Sequence, residues 1–229
     1  MTFLTHSLLT IMVFLAFQKL YQWKKWPILN PLFWSILTII GIILIKVTDY
    51  ETYKESTEAI SFFLGPATVV LAVPMYRQRE MLKGYWKPIF MGVVSSVAVS
   101  ALVITLLAYV FALSPEMWLS LLPKSITTPI GISLVDQIGG IQALTVVSII
   151  LTGIAGAMFS PQLIRLAKIK HPVAVGIAIG SSSHVVGTTK AIELGEVEGA
   201  MSSLSIAIAG VLTYMLIPPY LMLFNLVFQ

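Results

Sequence analysis

Long apolar runs, separated by short polar breaks, organise this chain from end to end. A helix needs about 20 mostly apolar residues to cross the hydrocarbon core of a bilayer. Runs of that kind predict membrane spans at Phe3–Leu20, Leu29–Val47, Ala59–Met75, Pro88–Leu113, Ile141–Leu163, Pro172–Ile192 and Gly199–Phe228. A further stretch, Met117–Ile138, is broken by Pro123, Pro129 and Gly131 and reads as re-entrant. The expectation is therefore an all-α polytopic membrane protein of about seven spans plus a re-entrant segment.

Composition agrees with that pattern. The chain is 57% hydrophobic and only 10% charged, with a mean hydropathy of +0.92, whereas soluble domains carry roughly 25% charged residues. There is no cysteine, so disulfides and thiolate metal sites are excluded. The first apolar stretch lacks a basic leader and a small-residue cleavage site, and reads as a retained helix. Nucleic acid is not an expected partner, because no long basic run alternates with aromatics. The positive charges instead fall in three loops: Lys19, Lys24 and Lys25; Arg77, Arg79, Lys83 and Lys87; and Arg165, Lys168 and Lys170. Placing these loops in the cytoplasm satisfies the positive-inside rule. With seven crossings, this puts the N-terminus outside a cytoplasmic membrane and the C-terminus inside.

Three polar interruptions lie at membrane depth, where an unsatisfied polar group costs several kcal/mol. The first is Gly65-Pro66-Ala67-Thr68, where the proline releases nearby carbonyls; a simple kink explains it equally well. The second is Pro123 to Pro129, with Ser125, Thr127 and Thr128 as candidate ligands. Either threonine can cap a new helix, and the competing reading is an external loop with Lys124 in water. The third is Gly180 to Lys190, in which Ser181, Ser182, Ser183, His184, Gly187, Thr188, Thr189 and Lys190 interrupt an otherwise apolar span. A broken helix exposes N–H groups at a positive dipole end, which suits an anion. Lys190 would add the counter-charge, unless it pairs with Glu193 or Glu196 at the surface. No Asp or Glu lies well inside a span, so a small anionic metabolite fits better than a cation. Proton coupling through His184 is an open option.

The third and sixth spans each carry an interruption and precede a helix with small residues every fourth position: Gly92, Ser96 and Ser100, then Ser205, Ala209 and Thr213. Opposed three-helix units with interrupted middle helices are the pattern of inverted-repeat transporters. The expected organisation is an N-terminal helix and basic loop (1–28), a first repeat (29–113), a broken linker (114–140) and a second repeat (141–229). A stripe at Ser148, Thr152, Gly156 and Ser160 reads as helix packing. Ser183 beside His184 does not form a hydrolase pair, since neighbours on a helix point about 100° apart. No protease motif occurs, so neither an enzyme nor a cofactor is expected.

Several of these segments together resemble the CidB/LrgB family. They are Phe63 to Thr68 with Ala72 to Tyr76, Leu122 to Ile130, Ile138 to Thr145, and Gly180 to Ala191 with Glu193 and Glu198-Gly199-Ala200. They recur in family order from about Asn30 to Pro218. The resemblance implies modulation of murein hydrolase activity and autolysis together with a small holin-like CidA/LrgA-type partner. It also implies transport of small monocarboxylates of the pyruvate and glycolate class, and an oligomer in the lipid bilayer. The anion seat favours transport, because perforating a membrane does not require one.

Overall fold

The computed structural model describes residues 2–24, 29–63, 66, 72–77 and 79–228. Among these the chain is helical, with no strand, in agreement with the all-α expectation. Its internal contacts divide it into two units, Met1–Val70 and Leu71–Gln229.

In the first unit, α1 (Thr2–Lys24) packs on α2 (Pro31–Leu44) and α3 (Tyr50–Phe62). Asn30 starts α2 by accepting a hydrogen bond from the Phe33 amide at 3.1 Å, with Pro31 following it in the first turn. Asp49 does the same for α3, accepting from the Thr52 amide and hydroxyl at 2.9 and 2.6 Å. Those two bonds hold its carboxyl below the usual carboxylate range. Buried Ser7 donates to the Ser56 carbonyl at 2.6 Å, tying α1 to α3.

The second unit contains the three helices long and apolar enough to cross a membrane among the described residues. After the short helices α4 (Ala72–Arg77) and α5 (Arg79–Gly84) come α6 (Trp86–Val110), α7 (Pro115–Leu121), α8 (Thr128–Ile138), α9 (Gln142–Leu166), α10 (Pro172–Leu194) and α11 (Glu196–Phe228). Those three are α6, α9 and α11. α7 and α8 are too short to cross, and the chain between them turns at Leu122 to Thr127. α8 ends on Gly139, whose φ of +83° lets its own amide and that of Gly140 both reach the Val135 carbonyl.

The sixth predicted span departs from expectation. α10 does not run straight through; it reverses at His184, where φ is 43° and ψ is −142°. Residues eight apart in a straight helix are separated by about 12 Å. Here a Cβ on Gly187 would lie 3.2 Å from the Ile179 side chain, and Ala191 packs in one buried cluster with Val175 and Ile179. Both arms rest on the same turn of α11: a Cβ on Gly176 would meet the Glu198 carbonyl at 2.5 Å, and one on Gly199 would meet Ile192 at 2.8 Å. Thr188 joins Ser202 at 2.7 Å. α10 is therefore a helical hairpin whose two open ends lie together. Small residues at four-residue spacing, Gly176 with Gly180 and Gly187 with Ala191, allow so close an approach.

Candidate functional site

The tip of the α10 hairpin is buried against the middle of α9. The His184 ring sits over Gly153, where an added Cβ would come within 2.5 Å, and its Nε2 bonds the Ile149 carbonyl at 2.8 Å. Ser183 fills the space in front of Gly156. A carbonyl only accepts, so Nε2 carries the proton and Nδ1 is left as the ring's acceptor. The positive φ at a histidine is a conformation that L side chains rarely adopt, at a cost of about 1–3 kcal/mol. Packing on both sides holds it there, with His184 only 4% exposed.

A second tip meets the first. The turn between α7 and α8 carries buried Pro123 and Ile126 with half-buried Lys124, Ser125, Thr127 and Thr128. It packs near the same part of α9, because a Cβ on Gly131 would touch Ile149, Thr145 and Pro123. Thr127 takes the N-cap position of α8, but no side-chain cap bond forms there. Residues of both tips, Leu122 and Ser125 from one and Ser181 from the other, line a cavity of about 10 Å³ together with Ser96, Ser100 and Thr213. That is room for about one water molecule. A larger groove of about 680 Å³ between α6 and the first arm of α10 shares Ser96 and Ser181 with it, and runs to Tyr85 and His171. The Tyr85 and His171 rings lie 5.5 Å apart, so the start of α6 and the start of α10 meet there, each next to a lysine, Lys87 and Lys170.

Lys124 is the residue that one of the two sequence readings placed in water. Its Nζ donates at 3.1 Å to the hydroxyl of Ser125, which lines the small cavity together with Ser181 of the α10 hairpin. No described carboxylate lies within ion-pair distance of it. Lys190 is differently placed. It sits six positions along the second arm from the tip and is bonded to Glu193 at 2.6 Å. Lys190→Gln is accordingly expected to change substrate affinity by less than about twofold in a binding assay.

The remaining predicted ligands divide. Ser181, Ser183, His184, Gly187 and Thr188 are buried, whereas Ser182 and Thr189 are exposed and bond their own helix at the Ala178 and Val186 carbonyls. Gly187 and Thr188 serve the hairpin: one lets the arms touch, and the other ties the second arm to α11. Pro66 is exposed, and Gly65, Ala67 and Thr68 lie outside the described residues. Ser96, Ser100 and Thr213 were marked in the sequence only as small residues in the helices that follow the interrupted spans. Their four-residue spacing was the available signal, but it did not say what they face.

Three apolar spans and two buried polar helix breaks define a polytopic α-helical membrane protein with an internal polar site. The chain belongs to the LrgB-like family, whose profile matches residues 10–223. It is 34% identical over 219 residues to the uncharacterized protein YxaC of Bacillus subtilis (strain 168), covering 96% of this chain and 95% of that one. It is also 34% identical over 200 residues to the antiholin-like protein LrgB of Bacillus cereus (strain B4264), covering 86% of each. No solved structure matches.

Proposed function

We propose that the protein is a secondary carrier of small monocarboxylates, with Lys124 as the counter-charge for the carboxylate. The observation that carries this reading is a half-buried ammonium without a described acidic partner, set where two helix breaks meet midway along a spanning helix. A cation left unpaired at that depth is costly, and an anionic ligand removes the cost. Lys124 takes over the role that the sequence offered to Lys190. The α8 start, with no side-chain cap, adds backbone donors beside it.

The inverted repeat is better drawn as 86–138 and 142–194 than as 29–113 and 141–229. Each of these units is a 25-residue apolar helix followed by a helix–turn–helix, and placing the basic segments in the cytoplasm runs α6 outward and α9 inward. With the basic segments in the cytoplasm, the α10 hairpin enters from the cytoplasmic side and returns to it. α11 then crosses outward and leaves the C-terminus outside, one crossing fewer than the sequence parity required. Cysteine labelling from each side of the membrane at Glu196, the exposed start of α11, and at Gln229 tests this placement. A Gln229→Cys variant labelled only from the cytoplasm would restore the seven-span topology.

Uptake of labelled glycolate or pyruvate by reconstituted protein is expected to saturate, and non-saturable leakage of unrelated solutes would favour a pore. His184→Gln is expected to change the pH profile of uptake if the histidine carries the coupled proton, since imidazole is the side chain that ordinarily changes charge between about pH 5 and 8; an unchanged profile removes the histidine from coupling. The antiholin-like name of the Bacillus cereus relatives favours a second reading, modulation of murein hydrolase activity with a small holin-like membrane partner. Restoration of normal autolysis by a transport-dead Lys124 variant would separate that role from transport.

A further inference from the structure

We infer that Ser100 and Thr213 are specificity-determining residues, which take the oxygen on the second carbon of a 2-hydroxy or 2-oxo acid whose carboxylate is held by Lys124. This rests on the carrier reading and deepens it.

Five of the eight residues lining the small cavity bear hydroxyls: Ser96, Ser100, Ser125, Ser181 and Thr213. Lys124 does not itself line the cavity, but it donates to the Ser125 hydroxyl that does, which puts the charge behind that wall. Ser181 donates to the Ile177 carbonyl of its own helix at 2.7 Å. Ser100 is different, because its Oγ is buried and has no hydrogen-bond partner among the described residues. A buried hydroxyl without a partner costs free energy unless something fills the gap. Thr213, 5% exposed, faces the same space from α11. The cavity is too small for a three-carbon acid as it stands, so it represents the closed form of the site. The groove ending at Ser96 and Ser181 is the route by which separation of α6 from the first arm of α10 would open it.

A plain acid such as acetate satisfies Lys124 but leaves Ser100 and Thr213 without a partner. A site built to bond a substrate oxygen rejects the analogue that lacks it more strongly than an apolar pocket does. Saturable uptake of labelled glycolate and of labelled acetate is to be compared in proteoliposomes of the full chain and its variants. Ser100→Ala and Thr213→Val are each expected to shrink the glycolate-to-acetate ratio of Vmax/KM by about tenfold. Thr213→Ser is expected to restore it. Ser100→Ala is further expected to keep or raise the thermal midpoint in detergent, because it removes an unpartnered buried hydroxyl. A ratio that stays constant while transport persists, or a lowered midpoint with both acids affected equally, overturns this assignment and leaves the carrier reading intact. Absence of saturable uptake of either acid by the unaltered protein overturns the carrier reading itself.

Discussion

Lys124→Gln is expected to weaken carboxylate binding by about thirtyfold or more, the effect of removing one member of a desolvated charge pair. The same substitution is expected to leave the substrate-free protein no less stable, and Lys124→Met to raise its thermal midpoint. The sign follows from the surroundings. Lys124 is flanked by the fully buried Pro123 and Ile126, and its ammonium bonds only a neutral hydroxyl among the described groups. Without ligand, that cation is a destabilising feature of the fold. A lysine with a purely structural role would behave in the opposite way, with stability lost along with binding. Substrate protection against thermal unfolding is the corresponding check. The unaltered protein should gain stability from glycolate, as any ligand specific for the native state confers it, and Lys124→Gln should not.

Gly156→Ala is expected to abolish most uptake while membrane insertion persists, with destabilisation of about 1–3 kcal/mol from overpacking. The position is in the interior of a spanning helix, where replacing glycine by alanine ordinarily stabilises by roughly 0.5–1 kcal/mol. Here the added methyl group would occupy the space of the Ser183 side chain, and the neighbouring His184 backbone has little freedom to retreat. The methyl group therefore drives the hairpin tip away from α9, taking His184 from the Ile149 carbonyl. Gly41→Ala is the control. It is also within a helix, but nothing lies within 4 Å of its added Cβ, so it should be neutral or slightly stabilising. Equal behaviour of the two variants, measured by thermal unfolding in detergent and by uptake, would mean that the tip does not seat on α9.

Much of the site is visible in local sequence because membrane depth makes polarity expensive. Ser181, Ser183 and His184 are conspicuous in an apolar run, and they are buried at the tip where protein surrounds them. Ser125, Thr127 and Thr128 are conspicuous between two prolines, and they form the opposing turn. Lys190 stands out in the sequence, whereas the carrier reading proposed above turns on Lys124, for one reason. A cation's environment depends on the depth and direction of the helix carrying it, and a straight α10 would have carried Lys190 to a different place. The reversal at His184 leaves no pattern of its own, since the residues on both sides favour helix and continue its spacing. The two glycines that accept the tip, Gly153 and Gly156, belong to a helix about 30 residues earlier in the chain.

The amino-acid order by itself determined that this is an all-helical membrane protein of the LrgB-like type, with polar breaks near 123–129 and 180–190. It could do so because burial of apolar residues in lipid and the cost of stranded polar groups act residue by residue. Only the tertiary structure decided that α10 turns back, that the two breaks converge beside one lysine, and that Ser96, Ser100 and Thr213 close the space between them. Those outcomes depend on contacts between helices distant in the chain, where a single missing Cβ sets how closely two backbones approach.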